Sequence, residues 1–267
     1  MFRYITPELD QIRVDEKNAE FTFGVHGPSL LRWASDNQAT IMTQEETEHV
    51  IYELGRAVMG SVRSLNEQFG LLRQAIMYSF IWRKHPELGI QFFVYRRTKT
   101  NNEGQLAQRL SLGAGGHFEI LDLSLHDDLA GMHSTPIIDF AATSLNNYYR
   151  ERDEELNGDD LAEDVYDEPT LHGFVMDSKS TPGYVGNIHF GMLAGCRVLD
   201  VNIELGMKEP QNDAVGWFTA EELLGDLARG GKVVGTQHGD GLVDYEPWSK
   251  LMIEKIKELE ATLETAE

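Results

Sequence analysis

The six residues Arg150-Glu151-Arg152-Asp153-Glu154-Glu155 close a longer stretch, FAATSLNNYYRERDEEL over residues 140–156, whose patterning predicts a helix. At about 100° per residue, Glu151, Glu154 and Glu155 share an arc of roughly 100° on one helix face. Three carboxylates held that closely repel one another unless a cation lies between them. Oxygen-only donors favour Mg2+ or Mn2+ over zinc. The same spacings also occur on plain solvated helices, where Arg150 does no more than form local ion pairs. Residues 151–168 carry ten carboxylates, the density of such a solvated face. A stripe of Ala141, Leu145, Tyr148 and Tyr149 is expected to turn the helix toward a core.

Outward from this helix, IQFFVYRR (residues 90–97) is rich in aromatic and β-branched residues and predicts a strand, and residues 20–25 predict another. Asn101-Asn102-Glu103-Gly104 reads as a turn. Residues 110–112 lead into a strand and then into Gly113-Ala114-Gly115-Gly116, where glycine permits a bulged turn and lets backbone N–H groups approach a ligand. Downstream, strands are expected at residues 171–176, 188–193 and 197–205, a capped helix start at Thr219-Ala220-Glu221-Glu222, and a helix over residues 247–265. Toward the N-terminus, Thr43 and Glu46 read as a capping box. Val50, Leu54, Val58 and Val62, four apart, predict helix through residues 44–84, with a break near Gly70, before His85-Pro86 stops it. The expected organisation is an N-terminal helical extension, residues 1–85, and a mixed α/β (α+β) sandwich, residues 86–267. The extension would pack on the remainder or on a second copy of the chain, giving a homodimer, because its apolar spacing otherwise leaves a large exposed patch.

With 267 residues the chain can bury a substantial core. Its formal charge of −21 opposes sequence-independent binding to a phosphate backbone, yet a small nucleotide beside a bound cation remains compatible with it. A lone cysteine, Cys196, leaves no intrachain disulfide and no thiolate zinc cluster, which suits a reducing cytoplasm. The first twenty residues are charged from Arg3 onward without an apolar core of a signal, and apolar runs such as residues 75–82 are too short to span a bilayer, so no membrane association is expected.

The hexapeptide at 150–155 resembles the Arg-Glu-x-x-Glu-Glu core of the Nudix (MutT-like) hydrolase box, and Gly115-Gly116-His117-Phe118-Glu119 is similar to its glycine turn. Residues 173–177, Val185-Gly186-Asn187-Ile188-His189-Phe190-Gly191, residues 217–223 and Glu246-Pro247-Trp248-Ser249 follow in order and resemble a branch of MutT-type phosphoesterases whose box is split by an insertion. Here Gly116 and Arg150 lie 34 positions apart, so residues 121–139 contain the insertion; the box's middle glutamate falls on Ala142, and Arg152 occupies a normally apolar place. The resemblance covers residues 88–255 and implies a Nudix-like mixed sheet sandwiched by helices. It also implies hydrolysis of a nucleoside diphosphate linked to another group. Glu151, Glu154 and Glu155, with Glu119 as an added candidate, would hold Mg2+ or Mn2+. Glu154 or Glu155 would be the base, Arg150 would orient a box glutamate, and Gly115, Gly116 and His117 would meet the substrate.

Other residues admit quieter readings. His189, between apolar neighbours, reads first as a hydrogen-bonded structural histidine, and Glu204 and Glu209 as solvated loop acids in places where a base outside the box could sit. Asp122, His126, Asp127, Asp128 and His133 read as a polar insertion loop rather than a second metal site, and Trp33, Trp82, Trp217 and Trp248 as core or interface anchors. A Nudix-fold module without catalysis, binding a nucleotide or a protein partner, is the competing function, favoured by the absent middle glutamate. The substrate stays open among a nucleoside triphosphate, a dinucleotide polyphosphate, ADP-ribose, a nicotinamide dinucleotide and a capped RNA end; the acidic balance disfavours long RNA.

Overall fold

Residues 75–82, AIMYSFIW, are apolar or small at every position and show no one-sided stripe; a stretch of this kind is buried only where both of its faces are covered. It forms the middle of β4 (Arg73–His85), buried from Gln74 through Trp82. The computed structural model describes residues 21–62, 72–98, 107–125, 138–156, 165–177, 188–208, 212–236 and 239–265. In it the helix expected over residues 44–84 is confined to α2 (Gln44–Ala57), and β3 (Met59–Val62) and β4 are strands. The capping box is present: Thr43 Oγ1 accepts from Glu46 N and the Glu46 carboxylate accepts from Thr43 N.

β4 lies inside a ten-stranded mixed sheet of order β10 (Asn212–Thr219), β5 (Gly89–Arg97), β4, β9 (His189–Val198), β8 (Thr170–Met176) and β2 (Gln38–Ile41). β4 and β9 pair in parallel from Gln74–His189 to Arg83–Val198, while β5, β8, β2 and β10 join antiparallel. β1 (Phe21–Val25) pairs with β3 and with the first residues of β4. The strands before residue 85 therefore belong to the same sheet as those after it. A boundary at residue 85 falls within the β4–β5 hairpin, and the described residues before it are not a separate helical extension.

Helices cover both faces. On one, α4 (Ala220–Arg229), α5 (Pro247–Glu254) and α6 (Ile256–Thr265) bury Leu223, Met252, Ile256 and Leu259 against Tyr78, Phe80, Phe92 and Leu193. On the other, α2 and α3 (Phe140–Glu155) bury Val50, Leu54, Phe140 and Tyr148 against Met77, Phe174 and Met192. The apolar face of α2 thus packs within the chain. A short α1 (Gly27–Leu30) follows β1, and β11 (Lys232–Thr236) with β12 (Gly239–Val243) forms a separate hairpin. Of the strands expected at residues 188–193 and 197–205, β9 spans nearly all of the first and only the first two residues of the second, and the expected terminal helix is two, with α5 ending at Glu254 and capped by Lys255. The turn expected at residues 101–104 lies outside the described residues. Among the described residues no helix is long and apolar enough to cross a membrane.

Candidate functional site

Asp139 caps α3 by accepting from Ala142 N at 3.0 Å, and the helix presents an unexpected face to the sheet. Phe140, Thr143, Ser144, Asn147 and Tyr148 are buried, whereas Ala141, Leu145 and Tyr149 of the expected core stripe face outward. The reason is polar: Asn147 Nδ2 donates to the His117 carbonyl at 2.8 Å and to Asp122 at 2.9 Å, and the Thr143 hydroxyl accepts from Ser124 N. The buried side of α3 is organised around the chain segment that precedes the insertion.

That segment starts with the glycine turn, which follows β6 (Leu110–Ser111), a partner of β5, and runs along β4 through β7 (Gly113–Ala114), pairing Phe80 with Gly113 and Ser79 with Ala114. Gly115 has φ +137°, and a Cβ there would lie 2.2 Å from the Met77 carbonyl, so only glycine fits. A Cβ on Gly116 would come within 2.4 Å of Glu151 Oε1; the glutamate carboxylate therefore lies directly on the turn. Gly115 N donates to Glu155 Oε2 at 3.0 Å. Two of the three box glutamates are thus held by the glycine turn, one through close contact and one through a backbone N–H.

Arg150 joins this turn to the start of the insertion. Its Nε and Nη2 donate to the two oxygens of Asp122, each at 3.0 Å, its Nη2 to the His117 carbonyl at 2.9 Å, and its Nη1 to Glu151 at 2.8 Å. Burial would raise the Asp122 pKa, but hydrogen bonds from Arg150, Glu119 N and Asn147 overcome it and hold the group below the usual carboxylate range. The balance goes the other way at Glu151: burial, with the nearby Glu154 charge, outweighs Arg150 and raises the pKa to about 7. Glu154 is largely exposed, 3.5 Å from Arg150, and Glu119 is half exposed, 3.9 Å from the same guanidinium. Among the described residues no three His, Cys, Asp or Glu side chains are gathered closely enough to hold an ion, so the three-glutamate cluster expected from helix spacing is not assembled here. Glu151 and Glu154 lie against the Arg150 guanidinium, whereas Glu155 is drawn to the Gly115 amide.

The insertion is tied off at its base. Leu125 bridges Ile138 antiparallel and Asp139 N donates to Ser124 O at 2.9 Å, which brings the two halves of the split box together. His126, Asp127, Asp128 and His133 lie outside the described residues, as do Glu209 and Val185 to Asn187. Asp122 does not behave as a loop residue: buried, it is the ion-pair partner of Arg150, and an acid flanked by Leu121 and Leu123 was the available signal. His117 Nε2 and the buried His189 Nε2 are 2.8 Å apart. Arg152, at the normally apolar place, lies over the rings of Tyr149 and Tyr166. Exposed Glu204 stands on the segment that docks at the end of α3, where Lys208 N donates to Glu155 O.

A mixed sheet between two helical layers, with an Arg-Glu-x-x-Glu-Glu helix laid on a glycine turn, is the Nudix arrangement, and the chain has the Nudix fold. It superposes on Tm1382, assigned to the Nudix hydrolases, with a TM-score of 0.59 over 90% of this chain and 100% of that one, at 19% identity. A NUDIX hydrolase from Alicyclobacillus acidocaldarius aligns far less closely, with a TM-score of 0.35 over 58% of this chain and 83% of that one, at 14% identity. In sequence, the chain is 30% identical to protein YmaB of Bacillus subtilis (strain 168) over 154 residues, which span 58% of this chain and 63% of that protein. The match thus covers less than two thirds of that relative. No family model matches the chain.

Proposed function

We propose that the chain is a divalent-cation-dependent Nudix-type hydrolase that cleaves the pyrophosphate bond of a nucleoside diphosphate linked to another group. The observation that carries this reading is the placement of Glu151 and Glu155 on the glycine turn, with Glu154 one helical turn from Arg150. The donors are hard oxygens, suited to Mg2+ or Mn2+. A buried carboxylate whose ionisation is opposed by burial and by a like charge is also a group that a cation relieves. Glu151, Glu154 and Glu155 would hold the ion, and exposed Glu154 has the freedom to swing toward the other two. When bound, such an ion polarises the bridging phosphate and lowers the pKa of an attacking water.

The chain's own residues then have distinct tasks. Arg150, fixed on Asp122 and the His117 carbonyl, orients Glu151. Glu154 or Glu155 takes the proton of the attacking water. Gly115, Gly116 and His117 line the approach to the phosphates. A second reading, a nucleotide-binding module without turnover, is favoured by the dispersed carboxylates. A nucleotide panel with Mg2+ and with Mn2+, run on the parent, Glu154→Gln and Glu155→Gln, separates the two. Turnover that falls by orders of magnitude in either variant with melting temperature preserved supports the hydrolase; a parent that binds nucleotide but turns over none supports the module.

A further inference from the structure

Glu246 opens the Glu246-Pro247-Trp248-Ser249 stretch just before α5, and its carboxylate is buried at 3% exposure. Its Oε1 accepts from the Tyr78 hydroxyl and from Ser111 Oγ, each at 2.6 Å, and its Oε2 lies 3.3 Å from Arg97 Nε. Ser249 Oγ meets the Tyr78 hydroxyl at 2.7 Å and accepts from Leu112 N at 3.0 Å. A helix that only needed docking on the sheet could use apolar contacts, and α5 already has them in Met252 and Ile253. The charged group instead gathers residues on both sides of one short segment, the glycine turn.

Gly113 is held on every side by this network. Its N–H donates to Ser111 Oγ at 3.3 Å, and its carbonyl accepts from the Tyr95 hydroxyl at 2.7 Å. The Tyr78 ring fills the space where a Cβ would stand, 2.3 Å away. Two residues later Gly115 N meets Glu155, and Gly116 lies against Glu151. The chain of contacts runs from the Glu246 carboxylate through Ser111 and Tyr78 to Gly113, and from there along the turn to the helix carboxylates.

We propose that Glu246 is a positioning residue for Glu151 and Glu155, acting by fixing the glycine turn on which both rest. The inference builds on the reading of these carboxylates as the cation site, but its first readout does not depend on that reading. In full-length 15N-labelled protein the Gly115 amide reports its hydrogen bond to Glu155, and Glu155→Gln assigns that report. Glu246→Gln is expected to move the Gly113 and Gly115 amide resonances and, by analogy with lost outer-shell support, to weaken Mn2+ binding about tenfold by calorimetry or electron paramagnetic resonance. Ser111→Ala removes the link to the turn while leaving the Leu112–Ser249 contact that docks α5, and it should reproduce the Gly115 shift. If Glu246→Gln does not fold, Ser111→Ala decides the matter. A folded Glu246→Gln protein with a lower melting temperature, an unmoved Gly115 amide and unchanged Mn2+ affinity would overturn the proposal, because docking alone would then explain the residue. A parent that binds no Mn2+ would remove the cation reading, and the Gly115 amide would still decide whether Glu246 sets the turn.

Discussion

Asp122 accepts from Arg150, Asn147 and the Glu119 amide, and at 2% exposure it has little water to replace any of them. Asp122→Asn, which keeps the shape but not the charge, should cost about 1–3 kcal/mol in urea unfolding. Asp122→Ala, which leaves Arg150 facing a void, should cost about 3–5 kcal/mol, as breaking buried ion pairs does. A loss below about half a kcal/mol in both would mean that the pair contributes nothing to stability. Two other residues give opposite responses to acid. Burial pushes the His172 pKa down from 6.5 to about 4. Between those values the unfolded chain holds a proton that the folded chain does not, so stability rises with pH. Burial, against the pull of Arg150, leaves Glu151 at about 7 rather than 4.5, so the folded chain keeps its proton longer and stability falls with pH through that window. Each effect is worth up to about 3 kcal/mol, and over most of the window they offset each other. Relative to the parent in cation-free buffer, His172→Gln should lose stability from pH 4 to 6.5, and Glu151→Gln should gain it from pH 4.5 to 7. Urea midpoints that run parallel for all three proteins would contradict both assignments.

The glycine turn is where an element's geometry becomes chemistry, and its two central glycines should fail differently. Gly115→Ala meets the Met77 carbonyl at a backbone angle that side chains rarely adopt, so a stability loss of about 1–3 kcal/mol is expected. Gly116→Ala meets only the end of the Glu151 side chain, which can move aside. Its melting temperature should change little while Mn2+ affinity falls; equal affinity in Gly116→Ala would show that the contact does not place the carboxylate. The contrast also marks what was legible in the sequence. α3 was readable because residue patterning and acid spacing are local properties, and its bounds differ from the expected ones only at the last residue. β4 was misread because a strand buried on both faces loses the alternation that identifies strands, and the helical spacing of α2 ran on through Val58 to Val62 in β3. The outward turn of Leu145 and Tyr149 was hidden because the buried face of α3 answers to Asp122 and the His117 carbonyl. Asp122 lies at the closed base of the insertion, and His117 is held by its bridge to Ile76 of β4, so both contacts depend on residues distant in sequence.

For the molecule as a whole, the N-terminal strands and α2 are part of the body rather than an appendage. A chain beginning at Leu72 would bare the β4 edge that β1 covers, together with the apolar groups that Val50, Ile51 and Leu54 bury. Such a truncation should aggregate or lose its cooperative melt by circular dichroism; a soluble, monomeric remainder with the parent's melting temperature would show that these elements are dispensable. The parallel pairing of β4 with β9 carries a further consequence. The β4–β5 hairpin can close as it is made, but β4 and β9 are more than a hundred residues apart in sequence. At about 5–20 residues per second, the ribosome needs on the order of ten seconds to produce the second after the first. The helices α5 and α6, which cover one face of the sheet, emerge later still. Through that interval the apolar stretch of β4 is without its parallel partner, and the nascent chain is expected to bind chaperones that recognise extended apolar segments.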